Sequence, residues 1–348
     1  MAILKPFKAV RPSRDKVALV SSKSYEAYTP AELGAKLDFN PYTFLHVINP
    51  GYKYQQEVSG EQRFKLVNNR YLEFKENCIF IKDEIASFYI YERTDEINSF
   101  SGIIGATSVN DYKNNVIKKH EGTINKRVQL FQNYLKITGF NAEPVLLTHK
   151  NDENLSQIIN KEKRKRPEYE FSTTDKISHK LWLVNDVKIV EEIKSIFSNM
   201  ESLYIADGHH RTASSALLAK ELGSENKNHT GNEDYNFFMS YVIPESDLKI
   251  SEFNRFVTDL NGNSKEEFLM KVDEFFRIEN KGQQLYKPSK KNHFSMYLEG
   301  EFYSLYLRKD KYNFTDALSK LDVEILYRTL LKPILGIDDV TQLMPSKK

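Results

Sequence analysis

A mixed α/β fold of the α+β class is what this sequence predicts, and three observations predict it. Short apolar runs bounded by turn residues alternate along the whole chain with longer segments of helical periodicity. Apolar residues make up 40% and charged residues 28% of 348, a globular balance with material for a sizeable core. Twenty tyrosines and 22 phenylalanines suit strands packed through aromatic contacts. No internal repeat, heptad run or low-complexity tract interrupts the pattern.

The elements follow in order. Ala9-Val10 and Val17-Ala18-Leu19-Val20 read as short strands. Thr29-Pro30-Ala31-Glu32 is a helix start, with Thr29 as N-cap, Pro30 at the first helical position and Glu32 at the third. Phe44 to Ile48 reads as a buried strand stopped by Asn49-Pro50-Gly51, and residues 59–76 as an amphipathic helix using Phe64, Leu66, Tyr71 and Phe74. Cys78 to Ile81 and Ser87 to Tyr91 are strand-like runs able to pair with each other. Ser101 to Thr107 is a strand whose glycines suit close-packed surroundings, and Val116 to Leu135 is mostly helical, carrying His120-Glu121-Gly122-Thr123. Pro144 to Thr148 is a buried strand, and residues 150–168, with the basic cluster Lys161 to Arg166, read as an exposed insertion. Lys180 to Val184 is a strand holding the sole tryptophan, and residues 187–199 form a helix. Leu203 to Ala206 is a strand delivering a polar turn at Asp207, with a helix from Arg211 to Leu222. Phe237 to Ile243 is a strand and Phe268 to Phe276 a helix. Phe294 to Leu298 and Phe302 to Leu307 form a hairpin around Glu299-Gly300-Glu301, and Val323 to Leu331 is the last helix, ended by Pro333.

Charge and cysteine count exclude several functions. Fifty basic residues against 48 acidic ones give a formal charge of +2, with no long-range pull toward nucleic acid or an anionic membrane. One cysteine, Cys78, rules out an intramolecular disulfide and a cysteine-based zinc site. No run of about 18 apolar residues exists to span a bilayer, and the N-terminus lacks the apolar core of a secretion signal. The expected location is the cytoplasm, with no nucleic-acid or membrane partner.

Asp207-Gly208-His209-His210-Arg211 is where chemistry concentrates. The first turn of a helix offers unpaired N–H groups and the positive end of the macrodipole, so phosphate binds there readily. Gly208 lacks the Cβ that would hold a ligand off the backbone. His209, His210 and Arg211 add donors, arginine in a fork matched to two phosphate oxygens. Asp207 could hold a divalent ion of the kind nucleotide phosphates bring with them. Zinc on His209 and His210 is disfavoured, because adjacent helical residues face different directions. The competing structural reading is an N-capping aspartate with solvated histidines.

This string after an apolar strand resembles the phosphate-binding motif of the ParB/sulfiredoxin-like superfamily, whose free serine kinases also carry an upstream His-Glu with a nearby threonine, as in His120-Glu121-Gly122-Thr123. The chain as a whole resembles the bacterial family called domain of unknown function 1015, associated with phosphoserine aminotransferase. The likeness runs from Lys5-Pro6-Phe7-Lys8-Ala9-Val10-Arg11-Pro12 through His120-Glu121, Glu143-Pro144-Val145-Leu146-Leu147 and Asp207 to Arg211, up to Leu321-Asp322 and Leu335-Gly336. It implies a ParB/sulfiredoxin-like nucleotide-binding core over 101–230. An N-terminal α/β region would occupy 1–100, and a C-terminal α/β region 231–348. That last region reads as shortened, because Gly336-Ile337-Asp338-Asp339 is followed almost at once by Met344-Pro345-Ser346-Lys347.

The resemblance implies a nucleotide-dependent kinase that phosphorylates the hydroxyl of free L-serine, with ATP or ADP as donor and Mg²⁺ as cofactor. Glu121 would be the general base, with Asp207 and His210 as further catalytic residues and Asp207 meeting Mg²⁺ through the phosphates. Gly208, His209, His210, Arg211 and Thr212 would hold the phosphates. His120 would orient Glu121, and Thr123, Arg127 and Trp182 would lie near substrate or phosphate, although core packing is the simpler reading of Trp182. Tyr25, Tyr28 and Tyr42 fall in a segment that the family uses for part of its site, whereas Lys118, Lys119 and Lys126 read as surface. Nucleotide and a small amino acid are the expected partners, and oligomeric state is open. The alternatives are a non-catalytic nucleotide-binding regulator or sensor of the ParB-like superfamily, a sulfiredoxin-type reductase and an inert scaffold. The reductase needs a reactive cysteine, while the apolar surroundings of Cys78 suggest a buried, inert thiol.

Overall fold

The architecture is α+β, seen in a computed structural model that describes residues 1–23, 27–249 and 254–338. Tyr25 and Met344 to Lys347 lie outside the described residues. The first half runs β1 (Leu4–Lys5), β2 (Val10–Pro12), α1 (Val17–Val20), α2 (Pro30–Phe39), α3 (Leu45–Ile48), α4 (Gly60–Glu76), β3 (Phe80–Lys82), β4 (Phe88–Thr94), β5 (Ser99–Ser108), α5 (Val109–Lys113), β6 (Ile117–Lys118) and α6 (Asn125–Thr138). Then come β7 (Val145–His149), α7 (Glu153–Glu162), β8 (Tyr169–Ser172), β9 (Ser178–Val184), α8 (Val187–Asn199), β10 (Leu203–Asp207), α9 (His209–Glu225) and β11 (Phe237–Pro244). The chain closes with α10 (Lys265–Asp273), β12 (Phe276–Gly282), β13 (His293–Leu298), β14 (Glu301–Leu307), α11 (Asp322–Leu326) and a π-helical turn at Tyr327–Leu331. Among the described residues no helix is long and apolar enough to cross a membrane.

Two compact units divide at 249/250, where the sequence reading set boundaries at 100/101 and 230/231. The first, Met1–Lys249, is built on a nine-stranded sheet in the order β6-β10-β7-β11-β5-β4-β9-β8, with β1 added on β5. β11 belongs to this sheet: it pairs parallel with β7 and antiparallel with β5. Leu155, Ile158 and Ile159 of α7 and Val190, Ile193 and Phe197 of α8 fill the main core against Phe88, Ile90, Ile103 and Leu147 of the sheet. A second core joins Val20, Val47, Val67, Phe74, Ile79 and Phe80, with Tyr134 and Phe140 packed on it. The second unit, Ile250–Lys348, is a three-stranded antiparallel sheet, β12-β14-β13. Its core includes Phe268, Val272, Phe276, Leu305 and Ile325.

Local chemistry explains most of the element starts. Thr29 and Glu32 form the expected capping box, and Ser264 with Glu267 makes another at α10. The structure corrects the sequence reading at short apolar runs. Val17 to Val20 is a helical turn burying Val17 and Val20, three apart on one face, and Leu45 to Ile48 is helical too. Runs of four or five apolar residues do not distinguish the two periods. β3 pairs with β2, not with β4, whose neighbours are β5 and β9. Residues 150–168 are no exposed insertion: Asp152 caps α7, which drives its apolar face into the main core. The α10 helix ends at Asp273, and Phe276 opens β12 opposite Leu307. Val116 to Leu135 is helical only from Asn125, so His120 to Thr123 lie in a loop.

β5 is tightly enclosed at its glycines. A Cβ at Gly102 would collide with the Val242 carbonyl oxygen, with Ile243 Cγ2 at 2.7 Å and with Tyr241 Cε2 at 2.8 Å. The carbonyl belongs to the β-ladder and has no room to yield. Gly102→Ala is therefore expected to lower stability by about 1–3 kcal/mol, while Gly122→Ala, with nothing within 4 Å, leaves it unchanged. Urea denaturation of both variants checks this, and equal midpoints would contradict the packing argument.

Candidate functional site

Strand direction brings the predicted residues together. β6 pairs parallel with β10, Lys118 opposite Tyr204, so both strands release their chains at one edge of the sheet. Glu121 and Asp207 each lie three residues past that pair. β7 runs antiparallel to β10 and begins at the same edge, which places Glu143 and Pro144 beside the turn. Ligands of open sheets bind in such crevices, outside the carboxyl ends of strands where connections diverge.

The turn itself needs glycine. Gly208 has φ +100°, in the left-handed region, and is the uncapped start of α9. A Cβ there would lie 3.0 Å from Arg211 Nε, so its absence lets the guanidinium fold back along the turn. Thr212 is the first residue whose N–H bonds inside the helix, to the Gly208 carbonyl at 3.0 Å. The amides of 209–211 are the free donors of a helix mouth, with no side-chain cap over them. This cradle fits an oxyanion, and phosphate is the commonest one such a mouth takes.

Arg211 is braced rather than free. Its Nη1 donates to the Pro144 carbonyl at 2.6 Å and pairs with Glu143 at 2.9 Å, and its Nη2 pairs with Asp207. Glu143 is thus a site residue that sequence reasoning missed as one; its signal was the Glu-Pro pair opening a buried strand. Thr212 is fully buried, its hydroxyl donating to the Gly208 carbonyl at 3.1 Å, so its side chain stabilises the turn from behind. Ser214 and Ser215 bond back to the His210 and Arg211 carbonyls in the same way.

The loop after β6 closes over the two histidines. His209 is buried, its ring 4.3 Å edge-on from the His120 ring. His209 Nε2 accepts the His120 N–H at 3.5 Å, which assigns the ring proton to Nδ1, and Nδ1 lies 3.5 Å from Glu121 Oε2. His210 Nε2 accepts the Ile124 N–H at 3.1 Å, leaving its Nδ1–H able to donate. Glu121 is 64% exposed and also lies 4.0 Å from His120 Nε2, so it remains open to a substrate. Both imidazoles of the turn are held below their ordinary pKa, His209 by burial and then by His120, His210 by burial and then by Arg127. Arg127 stands exposed in the first turn of α6, and Thr123 is half-buried in the loop.

Other predicted residues lie elsewhere. Trp182 packs in the main core on β9 and donates Nε1–H to the Lys165 carbonyl at 2.9 Å; five strand spacings separate β9 from β10. Tyr28 accepts the Lys23 N–H at 3.0 Å, and Tyr42 packs on the second core under Lys16. Lys119 covers the Tyr112 ring at 4.0 Å, Lys126 is exposed and Lys118 half-buried. Cys78 corrects the sequence reading: its thiol is exposed, because a left-handed residue (φ +55°) reverses the chain before Ile79 and Phe80 turn inward. Among the described residues no group of three or more His, Cys, Asp or Glu side chains could hold a metal ion. Asp207, half-used by Arg211, is the one carboxylate in the turn itself.

Residues 4–324 match the family model described as protein of unknown function (DUF1015). No curated protein and no solved structure matches the chain.

The lowered histidine pKa values have a consequence for pH. Unfolded histidines titrate near 6.5; His209 and His210 in the fold titrate below that. Below about pH 6.5 the unfolded chain binds more protons, so their contribution is complete above that pH and is lost as the medium is acidified. Protonation also removes the lone pairs that accept the His120 and Ile124 N–H groups. Protection of the His120 and Ile124 amides against exchange, relative to their intrinsic rates, is expected to fall as the pH drops below about 6.5, ahead of the α9 interior. Protection factors that stay flat on acidification would contradict the assigned tautomers.

Proposed function

The chain belongs to the DUF1015 family, and from that premise we propose that it is a nucleotide-dependent small-molecule kinase acting on the hydroxyl of free L-serine. One observation carries the reading: Glu121, an exposed carboxylate, lies 3.5 Å from a histidine in the first turn of an uncapped helix mouth built for an oxyanion. An acceptor hydroxyl and a phosphate chain need those two groups side by side, and parallel strands supply both.

Each side chain then has a task. A serine hydroxyl is a poor nucleophile; Glu121 orients it and takes its proton late in transfer. The His209 Nδ1–H and the ring of His120 hold the Glu121 carboxylate in place. The free N–H groups of 209–211 and the His210 Nδ1–H receive phosphate oxygens, in fixed positions that need no rearrangement as charge develops. Arg211 uses three of its contacts to brace Asp207 and the start of β7, and presents its remaining N–H groups to the ligand. Arg127 meets an outer phosphate or the carboxylate of serine. Asp207, Glu143 and Glu121 bring three negative charges against Arg211 and Arg127 with neutral imidazoles, so a polyphosphate requires a cation of its own. ATP or ADP with Mg²⁺ fits that balance, and Asp207, the carboxylate of the turn itself, is the residue that would meet the metal through the phosphates.

The test is direct. Purified protein with Mg²⁺ and either ATP or ADP is offered a panel of amino acids and small alcohols, and mass spectrometry looks for phosphoserine. Glu121→Gln is expected to lower kcat by about 100- to 10,000-fold while nucleotide Kd stays within a few-fold. A variant that keeps full turnover removes Glu121 as the base. Nucleotide binding without any phosphorylated product would replace the kinase with a nucleotide sensor.

A further inference from the structure

The basic run Lys161 to Arg166 has no part in the site above, and the fold sorts its members. Lys163 pairs with Glu92 and donates to Ser101 Oγ at 2.8 Å, and Lys165 pairs with Glu162 at 2.7 Å. Arg166 has no acidic or hydrogen-bonding partner among the described residues, and neither has Arg14. These two guanidinium groups line one cavity of about 220 Å³ with Val17, Pro167, Glu168, Tyr169 and Glu170.

The cavity's two carboxylates are already answered from outside it. Glu168 pairs with Arg11 at 3.0 Å, and Glu170 with Lys180 at 2.8 Å. Arg11 also pairs with Asp83, so four cations stand with three carboxylates, and Arg14 and Arg166 are the two cations in no ion pair among the described residues. The back wall is rigid. Arg11, itself nearly buried, pairs with Asp83 at 2.8 Å, bonds the Tyr169 hydroxyl and lies 5.2 Å over the Tyr169 ring. Tyr89 donates to the same Asp83 at 2.7 Å. Val17, Pro167 and the Tyr169 ring give the cavity an apolar side.

We propose that this cavity is a second binding site, for a small organic oxyanion carrying a phosphate or carboxylate head and a short carbon body. The two arginines fork onto the head, and the apolar wall takes the body. It is a different place from the helix mouth: β8 stands at the far end of the sheet, six strand spacings from β10, on the order of 29 Å.

Trp182 makes the proposal measurable. It is the sole tryptophan, and its indole donates to the Lys165 carbonyl, next to Arg166. Titrations by tryptophan fluorescence and by calorimetry would use inorganic phosphate, glycerol 3-phosphate and succinate, so that phosphate and carboxylate heads are told apart. Saturable binding is expected in the native chain and in His210→Ala. It should weaken roughly tenfold or more in Arg14→Gln and in Arg166→Gln. Both arginines are exposed and bonded to nothing among the described residues, so their variants should melt as the native chain does. Three results would overturn the proposal: no saturable change in Trp182 fluorescence with any of the three anions, a Trp182 signal that survives replacement of both arginines, or one that disappears in His210→Ala.

Discussion

The parallel pairing of β6 with β10 is the constraint on which the candidate site rests. Two residues of ladder, Ile117 opposite Leu203 and Lys118 opposite Tyr204, set where the chain emerges on both sides. Reversing that pairing would send residues 119–124 to the opposite edge of the sheet from the 207–211 turn. A register slip of one residue would turn the buried Leu203 and Ile205 toward the other face. The pair is short, and β6 lies at the end of the sheet, so its hold depends on neighbours. Ile117 is fully buried, Leu203 donates back to Val116, and α6 packs on α9 through Gln132 and Lys136 against Glu221.

Arg211 illustrates how much of the candidate turn is devoted to holding itself together. Its fork is spread over Asp207, Glu143 and a backbone carbonyl, tying the end of one strand to the start of its neighbour. Behind it, three hydroxyls donate back into the first turns of α9, and the fully buried Thr212 closes the turn from the core side. The donors left over are backbone amides and an imidazole N–H, neither of which has to move to meet an oxyanion, with the Glu121 carboxylate beside them.

The far end of the sheet is organised by a different arginine. Arg11 joins the N-terminal segment, the turn after β3 and the start of β8, through Asp83, Glu168 and Tyr169. A partly buried charge of this kind is costly to leave alone and is held by several partners at once. One consequence is that Glu168 is held in place by Arg11, while the neighbouring Arg14 and Arg166 stay without an ion-pair partner among the described residues.

Much of this was legible in the chain itself. Long periodic segments such as Val187–Asn199, capped starts such as Thr29, and the glycine turn after Leu203 to Ala206 carry their instructions within a few residues. Dihedral preference, capping and side-chain period are local, so sequence suffices for them. The string Asp207 to Arg211 reads as a helix mouth for the same reason, whereas the pair His120-Glu121 stands out only through the family resemblance. What the sequence left open is decided by long-range packing. Val17 to Val20 and Leu45 to Ile48 are helical because their apolar side chains meet a common core, and β3 takes β2 as partner across nearly the length of a domain's first segment. Glu121 meets His209, and Glu143 meets Arg211, only because two strands run parallel and a third runs against them. Pairing direction links residues nearly ninety positions apart, and no local preference encodes it.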